Sequence, residues 1–439
     1  MGSERDFPHA SLVEGIRFTA QVAAPNIIQG LFRRRRQVTA ITRRIPADGF
    51  GVGFMAGLKR SYGNGPLWIR AGSAEALLLL GPHAIRRVLE GSPEPYASDP
   101  EPKRSAMAHF QPDALTISRQ PEWKPRRAFA EAVLETGQPS HKLAGRFASV
   151  CVEEAGRLDG PLQWDGWNAA VRRVTRRIVL GDGAADDEAL SEMLAELMDK
   201  SNPPGGGDDD LYQRYLRALR EHVAAEREGS LAGLIPQAPK PGGDPAGQVT
   251  HWLFALGDTL AINAYRCLAL LASQIQVRSR VLEELKGARL ATAKGLAGLE
   301  LLDACLQEAM RLWPTTPMLA RETTTDVDWD GIPVPEGTQC LIVNNFNHRD
   351  SARYPWADYF SPDEWITGDG ADDWSFNHFS HGPQGCPGAG LALLVGKAML
   401  GTLLREHEIA YEGPALQAGK PLPYNLDFYA LRFTLTPRA

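Results

Sequence analysis

Phe379-Ser380-His381-Gly382-Pro383-Gln384-Gly385-Cys386-Pro387-Gly388 is the stretch of sequence that decides the fold. It places one cysteine in a loop of small residues, after an aromatic residue and before a glycine. Glycine lets a backbone approach a metal closely, and proline stiffens the loop. With 15 Phe, 43 Gly and 5 Cys in 439 residues, the pattern F-x-x-G-x-x-x-C-x-G is expected by chance only roughly 0.002 times. The stretch therefore predicts a metal-binding thiolate rather than a free cysteine in a turn.

Composition narrows the class of protein. The net charge of −6 and the hydrophobic content of 43% suit a soluble globular chain and argue against nucleic acid as the main partner. We find no apolar run long enough to span a bilayer and no signal-peptide pattern, so we expect a cytoplasmic protein. The five cysteines are widely spaced and contain no C-x-x-C pair, which argues against a disulfide framework or a zinc site.

Apolar periodicity predicts a mainly helical chain with a small antiparallel β part. Helices are expected over much of 123–181 and over 211–228, 248–272 and 293–312, and strands at 66–70, 76–80 and in a hairpin at 327–345 that turns at Asp330-Gly331. The helix at 248–272 is the most apolar and should cross the core. No internal repeat is visible.

Four consecutive arginines at 33–36 follow an apolar stretch. A solvated helix end is the interpretation that we favour, and contact with an anionic membrane surface is the alternative.

Four further motifs surround the cysteine loop. Trp123-Lys124-Pro125-Arg126-Arg127 ends in an arginine, whose planar fork suits a carboxylate. The buried helix contains Ala255-Leu256-Gly257-Asp258-Thr259, and an acid beside an alcohol there costs free energy unless the two are paired or used. Glu308-Ala309-Met310-Arg311 places two opposite charges at i, i+3 on a helix that should end at Pro314. The fourth motif is Leu319-Ala320-Arg321-Glu322-Thr323.

In this order the motifs resemble those of the cytochrome P450 superfamily of haem-thiolate monooxygenases, from about residue 66 to the C-terminus. The resemblance implies a cytochrome P450 fold with haem b between the long central helix and the helix after the cysteine loop. Cys386 would be the axial iron ligand, with Phe379 beside the porphyrin and Pro387 and Gly388 shaping the loop. A thiolate ligand donates electron density to the iron and favours O–O cleavage. We therefore expect one catalytic domain at 46–439 after an N-terminal extension at 1–45.

The resemblance also implies roles for the other motifs. Asp258 and Thr259 would deliver protons for O–O cleavage, and Ala255 would line the distal side of the haem. Trp123 and Arg127 would face one haem propionate. The plainer interpretations are a helix whose polar side chains are satisfied by the backbone and a basic first turn of a helix.

Arg321 would be a second propionate partner; a surface arginine on a strand is its alternative. Glu308 and Arg311 would form a structural pair whose third partner in the family is an arginine. Glu364 stands at that arginine's position in this chain, and His381 is the candidate substitute.

Substrate and electron donor follow only by analogy. The resemblance implies a medium-sized organic substrate, O2, and electrons from a separate ferredoxin or flavodoxin that docks near Lys124, Arg126 and Arg405. The alternatives are a peroxide-driven peroxygenase, a catalyst of oxidative coupling or dehydrogenation, and a haem-binding sensor without turnover. In peroxygenases of the family an Arg-Pro pair tends to replace the acid–alcohol pair, so Asp258-Thr259 argues against the first.

Overall fold

The structure is a computed structural model that describes residues 6–30, 32–42, 47–72, 74–202, 206–368 and 370–438. The α-helices are α1 (Leu12–Phe18), α2 (Ala24–Gln29), α3 (Arg36–Thr42), α4 (Ala47–Tyr62), α5 (Pro82–Glu90), α6 (Glu101–Ala108), α7 (Trp123–Leu134), α8 (Ala144–Ala155), α9 (Trp164–Leu180), α10 (Glu188–Ser201), α11 (Asp209–Ala224), α12 (Pro245–Phe254), α13 (Ala261–Ser273), α14 (Ile275–Leu285), α15 (Ala293–Ala297), α16 (Glu300–Leu312), α17 (Asn344–Asn347) and α18 (Ala389–Glu406). The strands are β1 (Pro66–Ala71), β2 (Ala74–Leu79), β3 (Tyr96–Ala97), β4 (Gly160–Gln163), β5 (Met318–Thr323), β6 (Val327–Trp329), β7 (Ile332–Val334), β8 (Gln339–Val343), β9 (His407–Glu412) and β10 (Arg432–Pro437).

The strands form three small sheets, as the predicted fold class requires. The largest has the order β1-β2-β8-β5-β3, and its β2–β8 pair is parallel while the other neighbours are antiparallel. A second sheet has the order β4-β10-β9, and β6 and β7 form a hairpin. It covers only 327–334 of the predicted 327–345, because Gln339–Val343 is β8 of the first sheet. Asp330 and Gly331 both have positive φ, 57° and 87°, which a two-residue turn of this hand needs.

The central helix runs continuously from Pro245 to Ser273 because a π-helical segment, Ala255–Leu260, joins α12 to α13. Asp244 caps its start by accepting a hydrogen bond from the Ala246 N–H at 2.9 Å. By length and hydropathy this helix could cross a bilayer, contrary to the expectation from sequence. However, 72% of its apolar window is buried inside the protein, so it occupies the core as predicted.

The helix after the cysteine loop, α18, packs on the central helix at Gly396. A Cβ atom at this position would lie 2.4 Å from Leu306 of α16 and 3.6 Å from Leu260 of the π segment. Only glycine fits there without a shift of its neighbours. This contact holds the middle of α18 close to α16 and to the central helix.

The single helix predicted over 293–312 is two helices in the structure, α15 and α16. The second begins again at Glu300 because the Glu284 carboxylate of α14 accepts the Leu301 and Leu302 backbone N–H groups at 2.7 and 3.0 Å. A capping carboxylate from another helix cannot be read from local periodicity.

The N-terminal residues pack against the rest of the fold. His9 forms an isolated β-bridge with Trp68, and the ring of Phe32 meets that of Phe110 at 5.1 Å. The predicted domain boundary at 45/46 falls in 43–46, outside the described residues.

Candidate functional site

The cysteine loop is closed by backbone hydrogen bonds. The Cys386 N–H donates to the Phe379 carbonyl at 2.8 Å, and the Gly385 N–H donates to the Gly382 carbonyl at 2.9 Å. Gly382 has a φ of 70°, and a Cβ atom there would lie 2.3 Å from the Leu89 carbonyl oxygen. Glycine is therefore required where the loop passes α5.

Cys386 has surroundings unlike those of the other four cysteines. Cys151, Cys267, Cys305 and Cys340 are buried, whereas Cys386 is exposed. Burial nevertheless raises the pKa of the Cys386 thiol, while the Gly388 N–H and the charge of Arg127 act to lower it. A thiol that is both desolvated and accessible faces a space within the protein, and nearby positive charge favours its thiolate form.

Helix α7 holds the loop from the side. Arg127 Nη1 donates to the Gly385 carbonyl at 2.6 Å, and its Nε donates to Glu131 at 2.7 Å. The half-buried Trp123 packs against the main hydrophobic core. Thr136, just after α7, donates through Oγ1 to the Pro387 carbonyl at 2.7 Å. The W-x-x-x-R motif thus lies next to the cysteine loop, and that Trp123 and Arg127 face a haem propionate stays a prediction.

One buried and one half-buried cation lie on the β5 side of the site. Arg321 is only 2% exposed, which excludes a surface arginine; it donates to Ser92 Oγ at 3.2 Å and Ser380 Oγ at 3.1 Å. Burial lowers the Arg321 pKa to about 10. Lys103 Nζ donates to the Thr116 carbonyl and Oγ1 at 2.7 and 2.8 Å, and burial lowers its pKa to about 7.

Neither cation forms an ion pair with a described acid. Gln384 in the cysteine loop has both amide atoms buried without a partner, and His378 Nδ1 is also unpartnered. Buried polar atoms without a partner, together with cations that form no ion pair, fit the carboxylates of a group such as haem. Lys103 was not predicted as a site residue, because a lysine in a polar helical segment is expected to be exposed to solvent.

One face of the central helix is less tightly covered by other residues than the rest of the helix. Ala255, Thr259 and Ile262, at i, i+4 and i+7, are half-buried between buried neighbours. The Thr259 hydroxyl forms no hydrogen bond with any described residue. The Asn168 side chain donates to the Gly257 carbonyl at 2.8 Å and braces the π segment. Such segments often mark functional sites.

Asp258 is held by a side chain rather than by its own backbone. Arg172 Nη2 of α9 donates to Asp258 Oδ1 at 2.7 Å, and both side chains are mostly buried. The interpretation of a backbone-satisfied aspartate is therefore wrong. Arg172 has no sequence signal, since it lies 86 residues away in the chain.

Glu308 and Arg311 form a fully buried pair, with both side chains at 0% exposure. Arg311 donates to the two carboxylate oxygens at 2.6 and 2.7 Å. It also donates to the His348 and Ala357 carbonyls at 2.6 and 2.8 Å. The pair thus fixes the segment 348–359.

Trp365 is the third partner of this pair. Its Nε1–H donates to Glu308 Oε2 at 2.8 Å. Neither predicted candidate contacts Glu308: the Glu364 side chain forms no described hydrogen bond, and His381 stacks on Trp374 at 5.0 Å and bonds the Phe376 carbonyl. A neutral indole donor suffices because Arg311 already supplies the compensating charge.

Replacing Trp365 by phenylalanine is expected to lower the free energy of unfolding by about 1.5–3 kcal/mol, because a buried carboxylate loses a donor. Urea unfolding of the purified variant measures this loss. In the matched variant Glu364→Gln the loss should stay within about 0.5 kcal/mol. A larger loss in Glu364→Gln than in Trp365→Phe would restore Glu364 as the third partner.

His348 should make stability depend on acid pH. Burial lowers its pKa well below 6.5, and its neutral ring donates from Nδ1 to the Arg311 carbonyl and accepts the Asn377 N–H at Nε2. Below about pH 6.5 the unfolded state therefore binds a proton that the folded state excludes, and stability falls by up to ~1.4 kcal/mol per pH unit. Urea unfolding from pH 7 to 5 should show a shallower loss in His348→Gln; an identical slope would contradict this assignment.

Comparison with known proteins gives one consistent answer. Residues 244–417 match the family model "Cytochrome P450". Cytochrome P450 4c3 of Drosophila melanogaster is 30% identical over 214 residues, covering 47% of this chain and 38% of that protein. Cytochrome P450 4V2 of Homo sapiens is 31% identical over 165 residues, covering 36% of this chain and 31% of that protein. The matches thus span less than two fifths of these relatives.

Among solved structures, retinoic acid-bound cyanobacterial CYP120A1 superimposes with a TM-score of 0.69 and 19% identity. The superposition covers 87% of this chain and 93% of that one. The shared fold therefore extends well beyond the segment that sequence comparison matches.

Proposed function

We propose that this chain is a haem-thiolate monooxygenase of the cytochrome P450 superfamily, acting on a medium-sized organic substrate. One observation carries the proposal. Cys386 is the exposed cysteine, and it sits in a glycine-shaped loop with the Gly388 N–H and the Arg127 charge beside its sulfur.

Haem b, when bound, supplies the iron centre at which dioxygen is activated and the porphyrin that stores oxidising equivalents. Cys386 would hold the iron through its thiolate. Arg321, Lys103 and Gln384 would hold the propionates, since their donors lack an anionic partner among the described residues. Phe379 closes the loop through its carbonyl bond to the Cys386 N–H.

Thr259 and Asp258 would supply protons from the central helix. The Thr259 hydroxyl is free to donate, since no described side chain or carbonyl occupies it. The Asp258 carboxylate forms an ion pair with Arg172. It also lines a small cavity together with Ser191 and Leu194. A proton relay needs such an ionisable group between solvent and the acceptor.

Thr259→Ala is therefore expected to uncouple electron consumption from product. The assay uses a surrogate reductase and a compound that the wild-type protein oxidises. The fraction of electrons released as peroxide should rise several-fold in Thr259→Ala, while Thr259→Ser should retain coupling. Peroxide and product are measured together by oxidase assay and chromatography. Equal coupling in Thr259→Ala and wild type would favour the peroxygenase alternative.

Electrons would come from a separate donor such as a ferredoxin or flavodoxin. Lys124 is exposed beside the cysteine loop. Arg126 was predicted to face the same partner, but it is buried and donates to Ser118 and Asp113 at 2.8 and 2.6 Å. It supports α7 instead. Arg405 is partly exposed, at 39%.

Oxidative coupling or dehydrogenation uses the same site and is the second candidate. The acid–alcohol pair serves both outcomes, and product mass distinguishes them: insertion adds one oxygen atom from 18O-labelled O2, whereas dehydrogenation adds none. A haem-binding sensor would consume no reductant with any compound.

A further inference from the structure

The arginines at 33–36 are held in one conformation by polar contacts. Asn202 at the end of α10 accepts the Phe32 N–H at 3.0 Å and donates to the Arg33 carbonyl at 2.9 Å. Tyr429 donates through its hydroxyl to the Arg34 carbonyl at 2.8 Å. Gly30 has a φ of 97°, and a Cβ there would lie 2.2 Å from the Arg33 carbonyl oxygen. The fold thus keeps adjacent positive charges together, against their mutual repulsion.

This segment borders a cavity of about 610 Å³ between α9, α10 and Tyr429. We call it the arginine cleft and define it by Arg34, Arg36, Arg172, Arg176, Trp164 and Tyr429. Its volume lies in the range of small-molecule sites. The rings of Trp164 and Tyr429 lie 6.0 Å apart and give the cleft an apolar wall.

Most cations of the cleft already have partners. Arg36 pairs with Asp165 at 3.1 Å, and Arg172 pairs with Asp258 at 2.7 Å. Arg176 Nη1 donates to Ser191 Oγ at 2.7 Å, and its other nitrogens donate to backbone carbonyls. Arg33, next to the cleft-defining residues, pairs with Asp199.

Arg34 is the exception. Its guanidinium donates no hydrogen bond to the described residues, and its Nη1 atom is buried without a partner. Burial lowers the Arg34 pKa, and Asp48 only partly offsets this through space. Glu188 and Glu192 line the cleft but form no ion pair with Arg34 among the described residues. A half-buried guanidinium with a buried, unpartnered nitrogen calls for an anion.

We propose that the arginine cleft binds the acidic group of an organic anion, with Arg34 as its main ligand and Trp164 and Tyr429 against its apolar body. The site lies beside the central helix, to which Arg172 connects it through Asp258. It is separate from the cysteine loop, and its occupancy can be measured without turnover.

Calorimetric titration of the haem-loaded protein with 3-phenylpropionate and with the neutral 3-phenylpropanol tests the proposal. Wild type is expected to bind the acid at least about tenfold more tightly than the alcohol, and Arg34→Gln to lose that preference. Arg217→Gln makes the same charge change at an exposed position of α11 outside the cleft, and should keep it. Because Arg34→Gln removes a half-buried cation without an ion pair among the described residues, the variant should fold with an unchanged or higher unfolding midpoint.

The same titrations, followed by absorption spectroscopy, show whether the bound acid acts as a substrate or as an effector. A substrate would shift the Soret band with the Kd that calorimetry gives, whereas an effector would release heat without a shift; both outcomes support the site. Equal affinity for acid and alcohol, absence of acid binding at millimolar concentration, or an intact preference in Arg34→Gln would overturn the proposal. These results are independent of whether the protein oxidises anything.

Discussion

Arg311→Lys is expected to destabilise the protein by about 3–5 kcal/mol, because it breaks a buried ion pair that no water can replace. The arginine uses its planar fork in two directions: toward both Glu308 oxygens and toward carbonyls of the segment 348–359. A lysine ammonium is a compact charge on a single stem and cannot span these acceptors together. Urea unfolding of the purified variant measures the loss, and the haem content on purification should fall with it.

The matched control is Arg280→Lys. Arg280 forms a bidentate ion pair with Asp363 at 2.9 and 2.5 Å, but both side chains are more than half exposed. The same substitution there should cost less than about 1 kcal/mol. If the two variants lose equal stability, burial of the Glu308–Arg311 pair does not have the structural role assigned to it.

Cys386→Ser is expected to abolish monooxygenase activity while leaving the fold intact. Serine is nearly the same size, and the thiol is exposed and so contributes little packing. The substitution nevertheless removes the thiolate that would hold the iron and donate electron density. Product formation with a surrogate reductase and the thermal unfolding midpoint are the two measurements.

Cys340→Ser provides the opposite control. Cys340 is fully buried in β8, so a hydroxyl there lacks solvent and should lower stability by about 1–3 kcal/mol. Its activity per folded molecule should stay near that of wild type. Activity that survives in Cys386→Ser but not in Cys340→Ser would reverse the assignment of the ligand.

The fold and the loop could be predicted because their signals are local. The spacing of Phe379, Gly382 and Cys386 reflects a backbone closure that the structure shows directly. The Asp330-Gly331 turn could be predicted because it needs two residues that tolerate a positive φ. By contrast, the E-x-x-R pattern also occurs at Glu14/Arg17 and Glu154/Arg157. The pair in α16 is singled out by its place on the helix before Pro314, and the structure adds that both of its side chains are fully buried.

Partners distant in sequence could not be predicted. Trp365 lies 57 residues from Glu308, and Arg172 lies 86 residues from Asp258. The family pattern suggested an arginine at position 364, where this chain has glutamate, and gave no reason to consider the neighbouring indole. The separation of α15 from α16 depends on Glu284 of another helix in the same way.

The measurement that tests the central claim most directly is the absorption spectrum of the dithionite-reduced protein under carbon monoxide, beside Cys386→Ser. The account predicts a strongly red-shifted Soret band in wild type and in Cys340→Ser, and none in Cys386→Ser, because thiolate ligation by Cys386 produces the shift. An unshifted band in fresh wild-type protein, failure to bind haem, or a red-shifted band that persists in Cys386→Ser would contradict it.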